Sequence, residues 1–261
     1  MATYLDRIIH AHRAQAADDR RSLEALRDDA LAQPPARGFA AALAAAEGLA
    51  VIAEVKRASP SKGDLNVGLD PAAVAQAYES GDATCLSVLT DEDWFQGSAD
   101  DLRVARSAVG IPVLRKDFTV VAADVCDARI MGADAALLIV AALDDAELAD
   151  FHALATEVGL DVLVEVHDEP ELERALAVGA SLVGVNQRDL VTFEVDTERA
   201  VRMAPQMPDG VVRVAESGVR GVPDATQLIE AGYHAVLVGE SLVTAGDHGA
   251  AVAALRGIGR T

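Results

Sequence analysis

The stretch "GADAALLIVAALDDAELADFHALATEVGLDVLVEVHDEPELERALAVGASLVGVNQRDL" (residues 132–190) decides the fold. It holds three short β-type runs, Ala135–Val140, Asp161–Val166 and Leu182–Gln187, rich in Val, Leu and Ala. Between them lie Asp144–Val158 and Glu169–Val178, which read as amphipathic helices. The turn signals "GAD", "GLD" and "GAS" come at the strand starts. Strands that alternate with helices in this way make βα units and a parallel sheet. The same alternation extends outward in both directions. Further runs are Val51–Lys56, Cys85–Thr90, Pro112–Asp117, Val211–Ser217 and, after "AGYH", Ala235–Ser241. Eight such units without a second composition zone predict an α/β fold of one closed (β/α)8 barrel, the TIM barrel. An open doubly wound sheet is the alternative, but no GxGxxG follows a strand to support it. The length, 261 residues, suits one barrel, so 1–261 reads as a single domain.

Residues 1–50 precede the first strand as an N-terminal helical extension. Leu5, Ile8, Ile9 and His12 fall at helical spacing, Leu23, Leu26 and Ala30 continue the pattern, and Gln33-Pro34-Pro35 ends it. The first thirty or so residues therefore read as helix, with a short Ala-rich helix after them. The Ala-rich stretch from Phe39 to Ala53 is interrupted by Glu47 and is too short to span a bilayer. Charges within the first seven residues leave no signal-peptide core.

Composition excludes whole classes of partner. The net charge of -20 opposes nucleic acid and anionic membrane surfaces. An anionic small molecule stays admissible, because a site's local field can oppose the global one. The two cysteines, Cys85 and Cys126, form no CxxC and suggest no disulfide framework, which fits a reduced cytoplasm. His10 and His12 point apart on a helix, so no metal site is read there. Only three of the basic residues are lysines, Lys56, Lys62 and Lys116, against nineteen arginines. The arginine excess reads as codon bias. The lysines then become candidates for roles that need a releasable proton, which a guanidinium does not give up.

Residues two apart in a strand share a face. Glu54 and Lys56 therefore face the same way as Ile52, Lys116 as Leu114, Glu165 as Leu163, Asn186 as Gly184, and Ser241 as Gly239 and Leu237. Each polar residue stands at or near the C-terminal end of its run, where barrel enzymes build their sites. A charge inside an apolar strand is costly without a partner, so five strands making that choice at one end argues for a site.

Each motif also has a plainer explanation. Glu54 and Lys56 in "VIAEVKRASPSKGDL" (51–65) could be a structural ion pair, with Ser59 to Gly63 a polar loop. Lys116 in "VLRKDF" and Glu165 in "VLVEVHDEPEL" could each be rim residues, but a Lys and a Glu facing one mouth make an acid–base pair. His167 shares the face of Glu165 but lies beyond it, which reads as rim placement. In "VGVNQRDL", Asn186 can orient hydroxyls and Arg188 can hold a carboxylate, or Arg188 and Asp189 form a plain salt bridge. "VAESGV" and "VLVGESL" end the last two strands, where barrels place phosphate: Ser217, Gly218, Gly239 and Ser241 are the candidates, against two ordinary turns. Trp94 and Phe95 in "DEDWFQGS" could cover an aromatic substrate or simply plug the rim.

Taken in order, "EVKRASPSKG", "FQGS", "LRKDF", "LVEVHDE", "GVNQRDL", "AESGV" and "LVGESL" resemble indole-3-glycerol phosphate synthases, from about Val51 to Val243. Two spellings depart from the family. Gln187 stands where a second Asn is frequent, with its side chain expected to point outward, and "DEDW" is an unusual form of its loop. The resemblance implies ring closure, decarboxylation and dehydration of 1-(2-carboxyphenylamino)-1-deoxyribulose 5-phosphate, with no metal and no organic cofactor. It implies Lys116 as the acid for ring closure and Glu165 as a base in dehydration. Glu54 would hold the substrate and the lysine network, and Lys56 would bind anionic groups or act as a second acid. Asn186, Arg188 and Ser217, with Ser59 and Phe95, would position the substrate, and Gly218, Gly239 and Ser241 would hold its phosphate. The implied protein is cytoplasmic and takes a small phosphorylated substrate, with no nucleic acid or membrane partner. It is a monomer, or failing that a weak homodimer. Two rivals remain. A phosphoribosylanthranilate isomerase would use a Cys/Asp pair, for which Cys85 lacks the context. A catalytically dead barrel would not need Glu54, Lys56, Lys116 and Glu165 together.

Overall fold

Parallel pairing of Ala50 with Ala235 joins the first strand to the last and closes the sheet. This is seen in a computed structural model that describes residues 3–259. The strands are β1 (Ala50–Val55), β2 (Cys85–Leu89), β3 (Val113–Lys116), β4 (Ala135–Ile139), β5 (Asp161–Val166), β6 (Leu182–Asn186), β7 (Val212–Glu216) and β8 (Ala235–Val238). Each pairs in parallel with its sequence neighbours, and β1 pairs with both β2 and β8. The chain is thus the (β/α)8 barrel that the strand count predicted.

The two strand faces do different work. Ile52, Leu114, Leu137, Leu163, Val214 and Leu237 point inward and pack on one another. The alternate residues, such as Val51, Val88, Leu138, Val164 and Val236, pack outward against the helices. Both faces are apolar because both are covered, as expected of a parallel sheet. Burying each such side chain contributes roughly 1.5–3 kcal/mol.

The extension comprises α1 (Tyr4–Ala17), α2 (Leu23–Leu31) and α3 (Phe39–Ala44). The predicted long helix is therefore broken. Asp18 caps α1, Asp19 pairs with Arg21, and Ser22 starts α2 by accepting from Ala25 N. The two ends of the barrel use the extension differently. α3 closes the N-terminal end: Phe39 and Leu43 are buried among the inward strand residues. Two buried or half-buried carboxylates hold that plug, with Arg37 N donating to Asp134 and Ala40 N to Asp161, each at 2.9 Å. α1 lies at the opposite end. Its Arg13 pairs with Glu147 at 2.7 Å, and its His12 with Asp91, also at 2.7 Å.

Between strands run α4 (Pro71–Ser80), α5 (Glu92–Phe95), α6 (Ala99–Ala108), α7 (Ala122–Ile130), α8 (Asp145–Glu157), α9 (Glu169–Ala177), α10 (Arg199–Met203) and α11 (Val222–Glu230). α12 (Glu240–Val243) and α13 (His248–Arg256) follow β8. The last predicted run, Ala235–Ser241, is cut short. β8 ends at Val238, Gly239 turns the chain, and Ser241 lies in the helical turn α12. Ser241 therefore does not share a strand face with Leu237. Among the described residues no helix is long and apolar enough to cross a membrane.

Candidate active site

A cleft of about 740 Å³ opens at the C-terminal ends of the strands. Its lining contains Lys56, Lys62 and Lys116, which are all the lysines in the chain. The strand geometry brings them there. Continuing the inward rows past Ile52, Leu114, Leu163 and Val214 leads to Glu54, Lys116, Glu165 and Glu216, one step above the apolar core. Glu54, Glu165 and Glu216 are each less than 5% exposed.

These groups compensate one another. Lys116 Nζ lies 3.4 Å from Glu165 Oε2 and 3.8 Å from Glu216 Oε2. Burial pushes the Lys116 ammonium toward neutrality, but the Glu165, Glu216 and Glu54 carboxylates outweigh it and hold the amine charged. Burial likewise pushes the Glu165 carboxyl up, and Lys116, His167 and Asn186 outweigh it, so Glu165 is held below the usual range. Glu216 goes the other way. Burial first, and the Glu165 charge second, lift it well above an ordinary carboxyl. Register sets this trio: Gly184 lies beside Glu165 on β5, and Asn186 beside Glu216 on β7. A Cβ on Gly184 would stand 2.1 Å from Glu216 Oε1, so the missing side chain is the room that Glu216 occupies.

The remaining expected residues fall round this centre. Lys56 pairs closely with Glu54, and both crowd Gly239, where a Cβ would meet Glu54 Oε1 at 2.1 Å. Asn186 Nδ2 donates to Glu165 Oε1 at 3.1 Å, while its Oδ1 accepts from Arg188 N at 3.0 Å. The Arg188 guanidinium donates to Phe193 O at 3.1 Å. Ser217 and Gly218 both have left-handed backbone, φ 64° and 77°, and line the cleft. Such a pair makes a concave turn of backbone amides suited to an anion. Ser241 Oγ donates to Val219 O at 3.0 Å and ties this turn to α12. Ser59 ends the first strand of the short hairpin Ala58–Ser59/Gly63–Asp64 at the rim, and Lys62 in its loop reaches Glu240 at 3.1 Å.

An aromatic wall completes the cleft. Phe95 and Phe118 line it with rings 6.3 Å apart. Tyr4 of α1 also lines it and meets Trp94 and Phe193 edge-on, each at 5.2 Å. Trp94 itself thus supports Tyr4 rather than facing the cleft. The nearest approach to a metal cluster among the described residues is His12, Asp91 and Asp117. These carboxylates are already engaged. Asp91 caps α5 and holds His12, and Asp117 pairs with Arg115 and accepts from Thr90.

Sequence reasoning missed Glu216, Phe118, Tyr4 and Phe193. Glu216 obeys the same rule that found Glu165, being two residues past an inward Val214 at a strand end. It stands directly before the Ser217–Gly218 turn, whose glycine is the stronger local signal. Tyr4 and Phe193 gave no local signal, because they come from the extension and a long loop. Gln187, expected to point outward, does leave the barrel interior. It is buried beneath the turn and donates to Ser217 O at 2.8 Å.

A half-buried lysine and opposed carboxylates at the C-terminal mouth, beside a glycine turn, define an enzyme of the (β/α)8-barrel class. Two solved barrels resemble it in fold alone. Thiamine phosphate pyrophosphorylase from Pyrococcus furiosus has a TM-score of 0.61 at 16% identity, over 80% of this chain and 94% of that one. N-acetylmannosamine-6-phosphate 2-epimerase from Clostridium perfringens has a TM-score of 0.60 at 12% identity, over 76% and 89%. The sequence is more specific. The family model for indole-3-glycerol phosphate synthase matches residues 5–255. The chain is 52% identical to indole-3-glycerol phosphate synthase of Mycolicibacterium smegmatis and 51% to that of Mycobacterium avium, each over 97% of this chain and 94% of the relative. The chain belongs to the indole-3-glycerol phosphate synthase family, the carboxy-lyases of tryptophan biosynthesis.

Proposed function

We propose that the chain converts 1-(2-carboxyphenylamino)-1-deoxyribulose 5-phosphate to indole-3-glycerol phosphate, CO2 and water, with Lys116, Glu165 and Glu216 moving the protons. The observation that carries this reading is Lys116 Nζ set between Glu165 and Glu216, at 3.4 and 3.8 Å. A charged amine, a carboxylate held low and a second carboxyl held high within one mouth supply both proton donors and an acceptor.

The chemistry uses them in order. The ring carbon bearing the carboxylate attacks the ketone carbon, and Lys116 gives its proton to the ketone oxygen. Loss of CO2 returns its bonding pair to the ring. The new hydroxyl then leaves as water with a proton from Glu216 or Lys116, while Glu165 removes a proton from the adjoining CH2. Two protons enter and one leaves, so each turnover consumes one proton, matching a carboxylate lost as neutral CO2. No oxidant or reductant is required, and we assign the reaction no cofactor.

Binding roles follow from position. Glu54 holds the substrate and Lys56, and Lys56 meets anionic groups or serves as a second acid. Asn186 orients Glu165, while Arg188, Ser217 and Ser59 contact the substrate's polar groups. Phe95 packs on its ring. Gly218, Gly239 and Ser241 form the phosphate end. We read 1–261 as one domain, acting in the cytoplasm as a monomer without nucleic acid or membrane partners. The test is a fluorescence assay for indole-3-glycerol phosphate on purified protein. Appearance of the indole supports the reading; intact substrate after complete mixing would overturn it.

A further inference from the structure

His167 follows β5, and from sequence it reads as a rim residue. Its ring turns back onto Glu165. Nε2 lies 3.4 Å from Glu165 Oε1, and Nδ1 lies 3.0 Å from Glu171 Oε2. The same Glu171 oxygen accepts the His167 backbone N–H at 2.7 Å, so one carboxylate fixes both the chain and the ring. α9 holds that carboxylate in place. Asp168 caps the helix by accepting from Glu171 N at 2.9 Å, which puts Glu171 in the first turn, over the end of β5. Nε2 is buried and makes no hydrogen bond among the described residues, which leaves Glu165 as its ion-pair partner.

We propose that His167 is a positioning residue for Glu165, forming with Glu171 a carboxylate–imidazolium–carboxylate relay that keeps Glu165 ionised and turns its other oxygen toward Lys116. This rests on the reading of Glu165 as the base. The charged groups facing the imidazole are Glu165 from β5 and Glu171 from α9. Lys116 from β3 meets the opposite oxygen of Glu165, and Asn186 from β6 donates to the oxygen that His167 faces. Burial alone would push the imidazole down, but Glu165 and Glu171 outweigh it and lift it to about 10, so the ring carries charge at neutral pH. The charge opposes the burial that would push the Glu165 carboxyl up. Lys116 alone must also serve as an acid, and once it has given up its proton it no longer holds Glu165 ionised. A cation that takes no part in the chemistry holds Glu165 ready through that step.

The experiment is a kinetic comparison of His167→Gln and Glu171→Gln with wild type across pH, with a thermal melt of each. The relay predicts that His167→Gln lowers kcat by about 10- to 100-fold, the scale seen when the outer partner of an active-site group is lost. KM should stay within about twofold, since His167 touches no substrate. The acid limb of the kcat profile should move up by about one pH unit, because an ionised base has lost an opposite charge. Glu171→Gln should move both in the same direction and by less, and it keeps the test available if His167→Gln folds poorly. In a Glu165→Gln background, His167→Gln should cost nothing further in single turnover. An unmoved acid limb with normal kcat, or an equal loss in the Glu165→Gln background, would overturn the relay. A fully active Glu165→Gln enzyme would instead remove the reading on which the relay rests.

Discussion

Gly184 and Glu216 are one feature seen from two strands. The acid lies where a side chain on β6 would otherwise be, 2.1 Å from an added Cβ. Gly184→Ala should therefore displace Glu216, destabilise the barrel by about 1–3 kcal/mol as overpacking does, and lower kcat by about tenfold or more. Steady-state kinetics beside urea denaturation checks this, and a destabilised but fully active variant would exclude Glu216 from the chemistry. Lys116→Ala should keep the fold and lower kcat by roughly 100-fold or more. Lys116→Arg should restore little, because a guanidinium is a poor donor near neutral pH. Turnover within a few-fold of wild type would remove Lys116 from the mechanism. At this scale the sequence was legible wherever an inward polar residue broke an apolar run, as at Glu54, Lys116 and Glu165. It was opaque where a residue acts through what its neighbours leave vacant. Nothing local tells that Gly184 is small for the sake of Glu216, or that Gly239 is small for Glu54 and Lys56.

Elements were legible through their periodicity and lost at their ends. The run Ala235–Ser241 keeps a two-residue alternation through Leu237, Gly239 and Ser241, yet the chain turns at Gly239 and Ser241 donates to Val219 O in the neighbouring loop. The break between α1 and α2 is likewise made by a short charged pair and a serine cap in a stretch whose composition stays helical. α3 was predicted, but its role as a plug was not, since that depends on carboxylates about 100 residues away in sequence, at Asp134 and Asp161. Asp134 is fully buried and accepts from Arg37 N, Val113 N and the Arg106 guanidinium at 2.9, 2.9 and 3.0 Å. Asp134→Ala leaves that guanidinium and two amides unsatisfied and should cost about 3–5 kcal/mol. The site lies at the other end of the barrel, so the folded fraction should keep its kcat. Urea denaturation with activity measured on the same samples tests both halves; a large loss of kcat at unchanged stability would contradict this division of labour.

Over the whole molecule, charge and site point in opposite directions. The chain carries a net charge of -20, yet its three lysines all line one cleft, with Arg188 and Arg220 beside them. The acidic exterior costs stability through self-repulsion, and the local cations draw an anionic substrate in. Raising salt from about 10 mM to about 150 mM shortens the screening length from about 30 Å to about 8 Å. The melting temperature should then rise, by about 2–4 °C for each kcal/mol recovered, while KM for a phosphorylated substrate rises as the cleft is screened. A melting temperature that falls with salt would mean that the ion pairs outweigh the repulsion. The barrel itself was legible because its strand count, length and missing dinucleotide motif all agreed. The covering of the mouth by α1 was not, because Tyr4 meets Trp94 and Phe193 only after the barrel has closed.

The central claim is that Glu165 and Lys116 form an acid–base pair whose carboxylate works in dehydration. Glu165→Gln keeps the size and the polar contacts of the side chain but cannot accept a proton. The direct measurement is single-turnover product analysis of this variant, beside its thermal melt. The pair predicts a melting temperature close to wild type, a fall in turnover of about 100-fold or more, and accumulation of the ring-closed, decarboxylated alcohol that still holds its hydroxyl. A stable Gln variant that forms indole-3-glycerol phosphate at the wild-type rate would contradict it and pass the role of base to Glu54.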